Sequence, residues 1–322
     1  MPERAPVEPL IEIVPVECKQ DVFTNKKYVL RPWSKLTADY GTREIWDASK
    51  GYQRSIYGGH LLGQSVSAAK QTVPAAFDVH SLQSAFLRPG DGKSNVYYHV
   101  ERVMDGRTLA SRLVRAMQGE LVIFVATIGF HRHSDQPTPT GGALKYQEPM
   151  PDWALSVQPT DKSLKAHHEM LVETGFPEEV VRTVRLPFEW GHLPAESTKD
   201  PTEFRERSFL RSEPLSTDDR GTHLAALAWV SDAFLIYTAN LANPTKFPLG
   251  MAGVAIETSV NHSVWFHLPS AKIDAWLACE RRTSWGADGR VLIYQTWWNR
   301  ADGQIVLSCI QEALLRLKNA QL

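Results

Sequence analysis

Asp232 stands in Leu224-Ala-Ala-Leu-Ala-Trp-Val-Ser-Asp-Ala-Phe-Leu-Ile-Tyr237, the most apolar helical stretch of the chain. Apolar residues occupy nearly every position around it, so no rotation of a helix puts this carboxylate on a wholly polar face. Burying such a group unpaired costs several kcal/mol. Three arrangements can satisfy it: a bond to nearby backbone, an ion pair with one of the arginines, or a functional site. In the third, apolar surroundings raise the carboxyl's pKa and make it a proton acceptor near neutral pH. Other residues that do chemistry elsewhere are poorly placed for it here. His167 and His168 are adjacent in a short charged helical stretch, Lys162 to Thr174, and so face different directions, which argues against a shared metal. No Gly-x-Ser-x-Gly string supplies the nucleophile elbow of a serine hydrolase. Read alone, Ser259 is a turn or cap residue before a strand, and Gln311 is a strand residue facing solvent.

The elements that must hold Asp232 come in two sets. Val79-His-Ser-Leu-Gln-Ser-Ala-Phe-Leu-Arg-Pro89, Asp105-Gly106 and Leu121 to Phe130 recur as Asn261-His-Ser-Val-Trp-Phe-His-Leu-Pro269, Asp288-Gly289 and Ile305 to Ala313. The His-Ser pairs lie about 182 residues apart and the Asp-Gly pairs about 183, so the register holds and the chain is duplicated. Each copy reads as an apolar helix followed by strands: Gly59 to Val73 in the first, ended by Pro74, and the helix around Asp232 in the second. Ala275 to Ser284 and Arg290 to Trp298 have β-branched and aromatic content, bounded by the turns Ala287-Asp-Gly289 and Ala301-Asp-Gly303. One helix followed by antiparallel strands is an α+β pattern, not the alternating βαβ of a nucleotide-binding sheet. The first helix carries no acidic residue, which predicts one working site per chain. His80 and His262 recur at equivalent places, which predicts a structural duty common to both copies.

Composition narrows the partners. The 322 residues are 43% hydrophobic with ten tryptophans, ample for a core. Lys and Arg (35) nearly balance Asp and Glu (36), with no long block of like charge, which argues against nucleic acid or a polybasic membrane surface. Leu224 to Ala242 nearly matches a membrane span in length but contains Asp232 and Asn240. A central Asp costs roughly 2.5 to 3.5 kcal/mol on insertion, so no membrane insertion is expected. Cys18, Cys279 and Cys309 form no Cys-x-x-Cys pair and indicate neither a disulfide scaffold nor a zinc knuckle. The acidic, proline-rich start is no signal peptide. Ala320-Gln321-Leu322 has the small, polar, leucine pattern of a relaxed peroxisomal address, so the expected compartment is peroxisomal or cytoplasmic.

Taken in order, Tyr57-Gly-Gly-His-Leu-Leu-Gly-Gln64, Val79 to Asp91, Ser231-Asp232, Asn261-His-Ser-Val-Trp-Phe-His267 and Ile310-Gln-Glu312 resemble the acyl-CoA thioesterase II family, the bacterial enzymes and their peroxisomal relatives. The likeness runs from about Val29 to Leu317. It implies an α+β double hotdog, two tandem units each of a helix wrapped by an antiparallel sheet, joined into one continuous sheet. It also implies hydrolysis of acyl-CoA by an activated water, without cofactor or metal. Carried over by motif, the catalytic group is Asp232, Ser259 and Gln311. Such chemistry needs a positioned water, a proton acceptor and donors for the oxyanion. Ser259 stands where bacterial members carry Thr, keeping the hydroxyl; His60 replaces a common Gln, and Ala110 a common Ser or Thr.

The expected organisation is an N-terminal extension over 1–28, hotdog units over 29–134 and 188–318 with a proline-rich linker at 135–187 between them, and a tail at 319–322. Assembly into a homodimer or larger homo-oligomer is expected. Alternatives on the same fold are a hydrolase or acyl transferase acting on a specialised acyl thioester in secondary metabolism, and a non-catalytic acyl-binding protein. A hydratase of this fold is disfavoured, because Asp232 is followed by Ala-Phe-Leu-Ile-Tyr237 with no histidine.

Overall fold

The structure is a computed structural model that describes residues 4–18, 20–25, 56–91, 94–132, 144–173, 187–246 and 254–317. The tripeptide Ala320-Gln321-Leu322 lies outside the described residues. In chain order the first half gives α1 (Glu8–Ile11), β1 (Ile13–Pro15), β2 (Val22–Asn25), α2 (Gly58–Lys70), β3 (Phe77–Phe86), β4 (Tyr97–Asp105), β5 (Leu109–Gln118) and β6 (Leu121–Arg132). Then come α3 (Asp152–Ser156), β7 (Lys165–Ala166), α4 (His167–Glu173), β8 (Phe188–His192) and β9 (Glu206–Ser212). The second half closes with α5 (Arg220–Ser231), α6 (Tyr237–Leu241), β10 (Val254–Phe266), β11 (Leu277–Ala287), β12 (Arg290–Asn299) and β13 (Ile305–Leu317).

Among the described residues all the strands lie in one antiparallel sheet, ordered β1-β2-β4-β5-β6-β3-β10-β13-β12-β11-β9-β8-β7. The order 4-5-6-3 in the first half is mirrored as 10-13-12-11 in the second. The halves meet where β3 pairs with β10, His262 opposite Ser84 and Trp265 opposite Ser81, and Ser84 Oγ donates to the His262 carbonyl at 2.8 Å. This is a double hotdog. Period-two burial sets the inner face: along β12, Ile293, Gln295 and Trp297 are buried while Leu292, Tyr294 and Thr296 are more open. Asp288 and Gly289 take φ 53° and 72° in the two-residue turn joining β11 to β12, as the Asp-Gly signal predicts.

The inner face wraps α2 and α5, which pack antiparallel, and one apolar core runs through both halves, including Leu62, Phe124, Trp229 and Trp297. Two glycines fix the crossing. A Cβ at Gly59 would fall 2.2 Å from the Trp229 carbonyl oxygen, and one at Gly63 2.9 Å from that of Ala225. Gly59 and Gly63 are one turn apart on α2, as are Ala225 and Trp229 on α5, so only residues without Cβ allow this approach. The start of α2 is thereby held beside the end of α5.

The apolar run around Asp232 does not continue as one helix. Asp219 caps α5 by accepting from the Thr222 amide at 2.8 Å, every residue from His223 to Ser231 is buried, and the helix ends at Ser231 with Asp232 as its C-cap. Phe234 then takes φ 55°, a left-handed conformation that costs a non-glycine residue about 1–2 kcal/mol, and α6 resumes at Tyr237. The apolar residues on both sides of Ser231-Asp232 hide this break, because both sides of it are buried. Part of the stretch expected to be a linker packs on the outer face of the second half, with Met150 and Ala154 against Phe209, Ala278 and Trp298.

Candidate active site

Asp232 leaves the end of α5 with only 8% of its surface exposed. Its Oδ1 accepts from Ser259 Oγ on β10 at 3.2 Å, and Ser259 Oγ in turn accepts from Gln311 Nε2 on β13 at 3.1 Å. Two adjacent strands and a helix end thus bring together the three residues that the family likeness singled out. Ser259 lies at the register shift where Ser259 faces Ala313 and Asn261 faces Glu312, so a β-bulge turns its hydroxyl toward the helix. Gln311 is fully buried, not facing solvent as its place in the sequence suggests when read alone.

The chain of bonds extends further. Gln311 Oε1 meets His262 Nδ1, and His262 Nε2 meets Ser231 Oγ at 2.8 Å. An amide oxygen only accepts, so Nδ1 carries the proton and Nε2 is the acceptor. Burial drives the histidine pKa down to about 4, which keeps the ring neutral in this tautomer. From His262 the polarity then runs one way, through Gln311 and Ser259, each donating toward the Asp232 carboxylate.

His262 therefore differs from His80. His80 is half-buried, and its ring lies over Gly129, 2.7 Å from where a Cβ would stand, whereas His262 is wholly buried and orients Gln311. The two histidines hold different partners at these equivalent places. The repeat of the His-Ser pair concealed this difference, and the partner across the sheet, Gln311 opposite His262, was the signal that separates them.

Asp232 also meets the start of α2. The Gly59 amide lies beside its carboxylate and lowers its pKa, and the positive end of the helix favours negative charge there. A Cβ at Gly58 would fall 2.7 Å from Asp232 Oδ2 and 2.8 Å from the Phe86 ring, so this glycine admits the carboxylate. Tyr57 Oη donates to the Trp229 carbonyl at 3.0 Å, its ring against Trp229 at 4.8 Å, and Trp229 Nε1 donates to His60 Nδ1 at 3.0 Å. Tyr57, Gly58, Phe86, Phe234 and Ser259 keep partial exposure, which leaves the site an apolar approach.

Burial pushes the Asp232 carboxyl up to about 6, against bonds from Ser259, Gly59 and Gln311 and the charge of Arg281. Glu257, two residues before Ser259, is pushed up to about 7, first by burial and then by the Asp232 charge, although part of its surface remains open. Nothing in the sequence pattern marked Glu257. A carboxylate with a raised pKa, bonded to the Ser259 hydroxyl and reached from an apolar side, is equipped to take a proton from water and return it. Among the described residues no group of three or more His, Cys, Asp and Glu side chains is placed to hold a metal ion. His167 bonds His192 at 2.8 Å rather than sharing anything with His168.

Known proteins agree with this architecture. Residues 152–315 match the acyl-CoA thioesterase C-terminal domain and residues 47–131 the acyl-CoA thioesterase N-terminal domain. Acyl-coenzyme A thioesterase 8 of Mus musculus is 29% identical over 293 residues, covering 87% of this chain and 85% of that protein. Acyl-CoA thioesterase 2 of Haemophilus influenzae is 28% identical, covering 82% and 88%. The peroxisomal acyl-coenzyme A thioester hydrolase 1 of Saccharomyces cerevisiae is 23% identical, covering 80% and 85%. The crystal structure of acyl-CoA thioesterase II TesB2 from Mycobacterium marinum shares the fold, with a TM-score of 0.70 at 22% identity over 98% of this chain and 99% of that one. With both halves matched and the two units joined at β3 and β10, the chain belongs to the acyl-CoA thioesterase II family.

Proposed function

We propose that this protein hydrolyses acyl-CoA thioesters to free acid and CoA, with Asp232 activating the water. The observation that carries the reading is the bonded series of Asp232, Ser259 and Gln311 beside the Gly59 amide. Asp232 takes a proton as the water oxygen bonds to the thioester carbonyl carbon. Ser259 and Gln311 hold that water, the amide offering both donor and acceptor. The positive end of α2 favours the charge that develops on the carbonyl oxygen. The tetrahedral intermediate then breaks its C–S bond, and the proton on Asp232 passes to the departing CoA sulfur. No covalent acyl-enzyme is required.

Thiol release from a panel of acyl-CoAs tests this. Asp232→Asn should lower kcat by about 10²-fold or more, the usual scale for losing a general base. Equal rates would sink the role of Asp232, and no release from any thioester would favour an acyl-binding protein. The reading includes assembly into a homo-oligomer, tested by light scattering. It also includes residence in the peroxisome or the cytoplasm, the former supported by the peroxisomal name of the yeast relative and tested by fluorescence microscopy of a tagged chain.

A further inference from the structure

We propose that Arg281 and Gln295 are positioning residues for Asp232: from two neighbouring strands they grip the carbonyls on either side of it and fix where its carboxylate points. Gln295 Nε2 on β12 donates to the Ser231 carbonyl, and Arg281 Nη2 on β11 donates to the Ala233 carbonyl at 3.0 Å. Arg281 Nε donates to Gln295 Oε1 at 3.2 Å, and Trp297 Nε1 donates to the same oxygen at 3.1 Å, so the two grips are braced as one unit. Behind them Arg281 Nη1 pairs with Glu206 at 3.4 Å, and Thr238 Oγ1 on α6 donates to Glu206. The guanidinium is 1% exposed and lies over Trp190 at 5.4 Å.

The helix end needs donors, but not this many. In the first half one residue does the work: Arg112, fully buried, donates to the carbonyl of Thr72 just past α2 at 3.0 Å and to its hydroxyl at 2.7 Å. Arg112 and Gln295 are equivalent, offset by the same 183 residues as the Asp-Gly turns. In the second half the cap is a neutral amide and the cation has moved to the next strand, beyond Ala233. That move secures the backbone just before Phe234, whose left-handed φ of 55° needs surroundings that hold it. It also sets a fixed positive charge near Asp232, at the negative pole of α5. The charged and titratable groups facing Asp232 are Tyr57 ahead of α2, Glu257 on β10, Cys309 on β13 and Arg281 on β11; only Arg281 favours the ionised carboxylate.

This inference rests on Asp232 being the base, and the test separates the two. Kinetics with decanoyl-CoA, read by thiol release from pH 4.5 to 8.5, are compared for wild type, Arg281→Gln, Arg281→Lys, Gln295→Met and Asp232→Asn. Arg281→Gln should cut kcat about tenfold or more with KM within about twofold, and move the acid limb up by about one pH unit. Arg281→Lys keeps the charge and loses the fork, so kcat should fall with the limb unmoved. A folded Arg281→Gln with wild-type kcat and limb overturns the proposal. If that variant does not fold, the other two decide: lowered kcat with the limb in place in Arg281→Lys and Gln295→Met supports it, and wild-type kcat in both overturns it. Should Asp232→Asn keep full activity, the base reading fails by itself. The pH dependence of thermal stability, measured with and without Asp232→Asn, then still reads whether Arg281 governs the titration of Asp232.

Discussion

Asp232 pays for its placement in a way that a melting experiment can read. Its folded pKa, about 6, lies above the ordinary value of 3.8, so the folded state holds the proton more tightly than the unfolded chain. Above pH 6 the ionised carboxylate therefore lowers stability, by up to roughly 3 kcal/mol at two pKa units, and this cost fades as pH falls toward 4. Asp232→Asn should consequently melt higher than wild type at pH 8, with the difference shrinking on acidification through pH 6. An unchanged difference between pH 4 and 8 would contradict the raised pKa. Ser259 makes a second prediction. Its hydroxyl bridges Gln311 and Asp232, so Ser259→Ala should lower kcat roughly 10- to 100-fold while Ser259→Thr, which keeps the hydroxyl, should retain most of it. Comparable losses in both would point to packing instead. Of these residues the sequence made Asp232 conspicuous by its surroundings alone. Ser259 and Gln311 became visible only through the family motifs, because their burial depends on a bulge and on the strand pairing of β10 with β13.

At the scale of elements, the site depends on how closely α2 approaches α5. Gly58 faces the carboxylate and Gly59 faces the Trp229 carbonyl, with no room for a methyl group at either. Gly59→Ala should push the helices apart, lowering stability by about 1–3 kcal/mol as overpacked cores do, and lowering kcat as the Gly59 amide withdraws from Asp232. Chemical denaturation and kinetics on the same preparation check both, and an unchanged midpoint would contradict the close crossing. The helix α2 and the strands of the second copy were legible as elements, since their periodicity and Asp-Gly turns are local signals. The end of α5 was not. Ser231, Asp232 and Ala233 are buried and none is a glycine or proline, so no ordinary turn residue announces the break, and the donors that stabilise it, Arg281 and Gln295, come from strands 48 and 64 residues later.

For the whole molecule, duplication supplied the architecture and divergence supplied the site. The two halves share one sheet and one core, yet Gly129 lies under His80 in the first half where Gln311 faces His262 in the second, and α2 ends without an acid. With Asp232 as the proposed base, one working site per chain is expected, and the activity that remains in Asp232→Asn should lack the inflection near pH 6. The repeat register, read from the His-Ser and Asp-Gly spacings, made the twofold plan visible in the sequence. The large shared core was not visible there, because it arises where β3 meets β10 and neither strand's sequence states its neighbour.

The most direct test of the account is the pH–rate profile of acyl-CoA hydrolysis for wild type and Asp232→Asn. The wild-type kcat should rise through an inflection near pH 6 as Asp232 loses its proton and then level off, while Asp232→Asn should be slower by about 10²-fold or more, with that inflection gone. An Asp232→Asn profile that keeps the wild-type rate and the same inflection would contradict it.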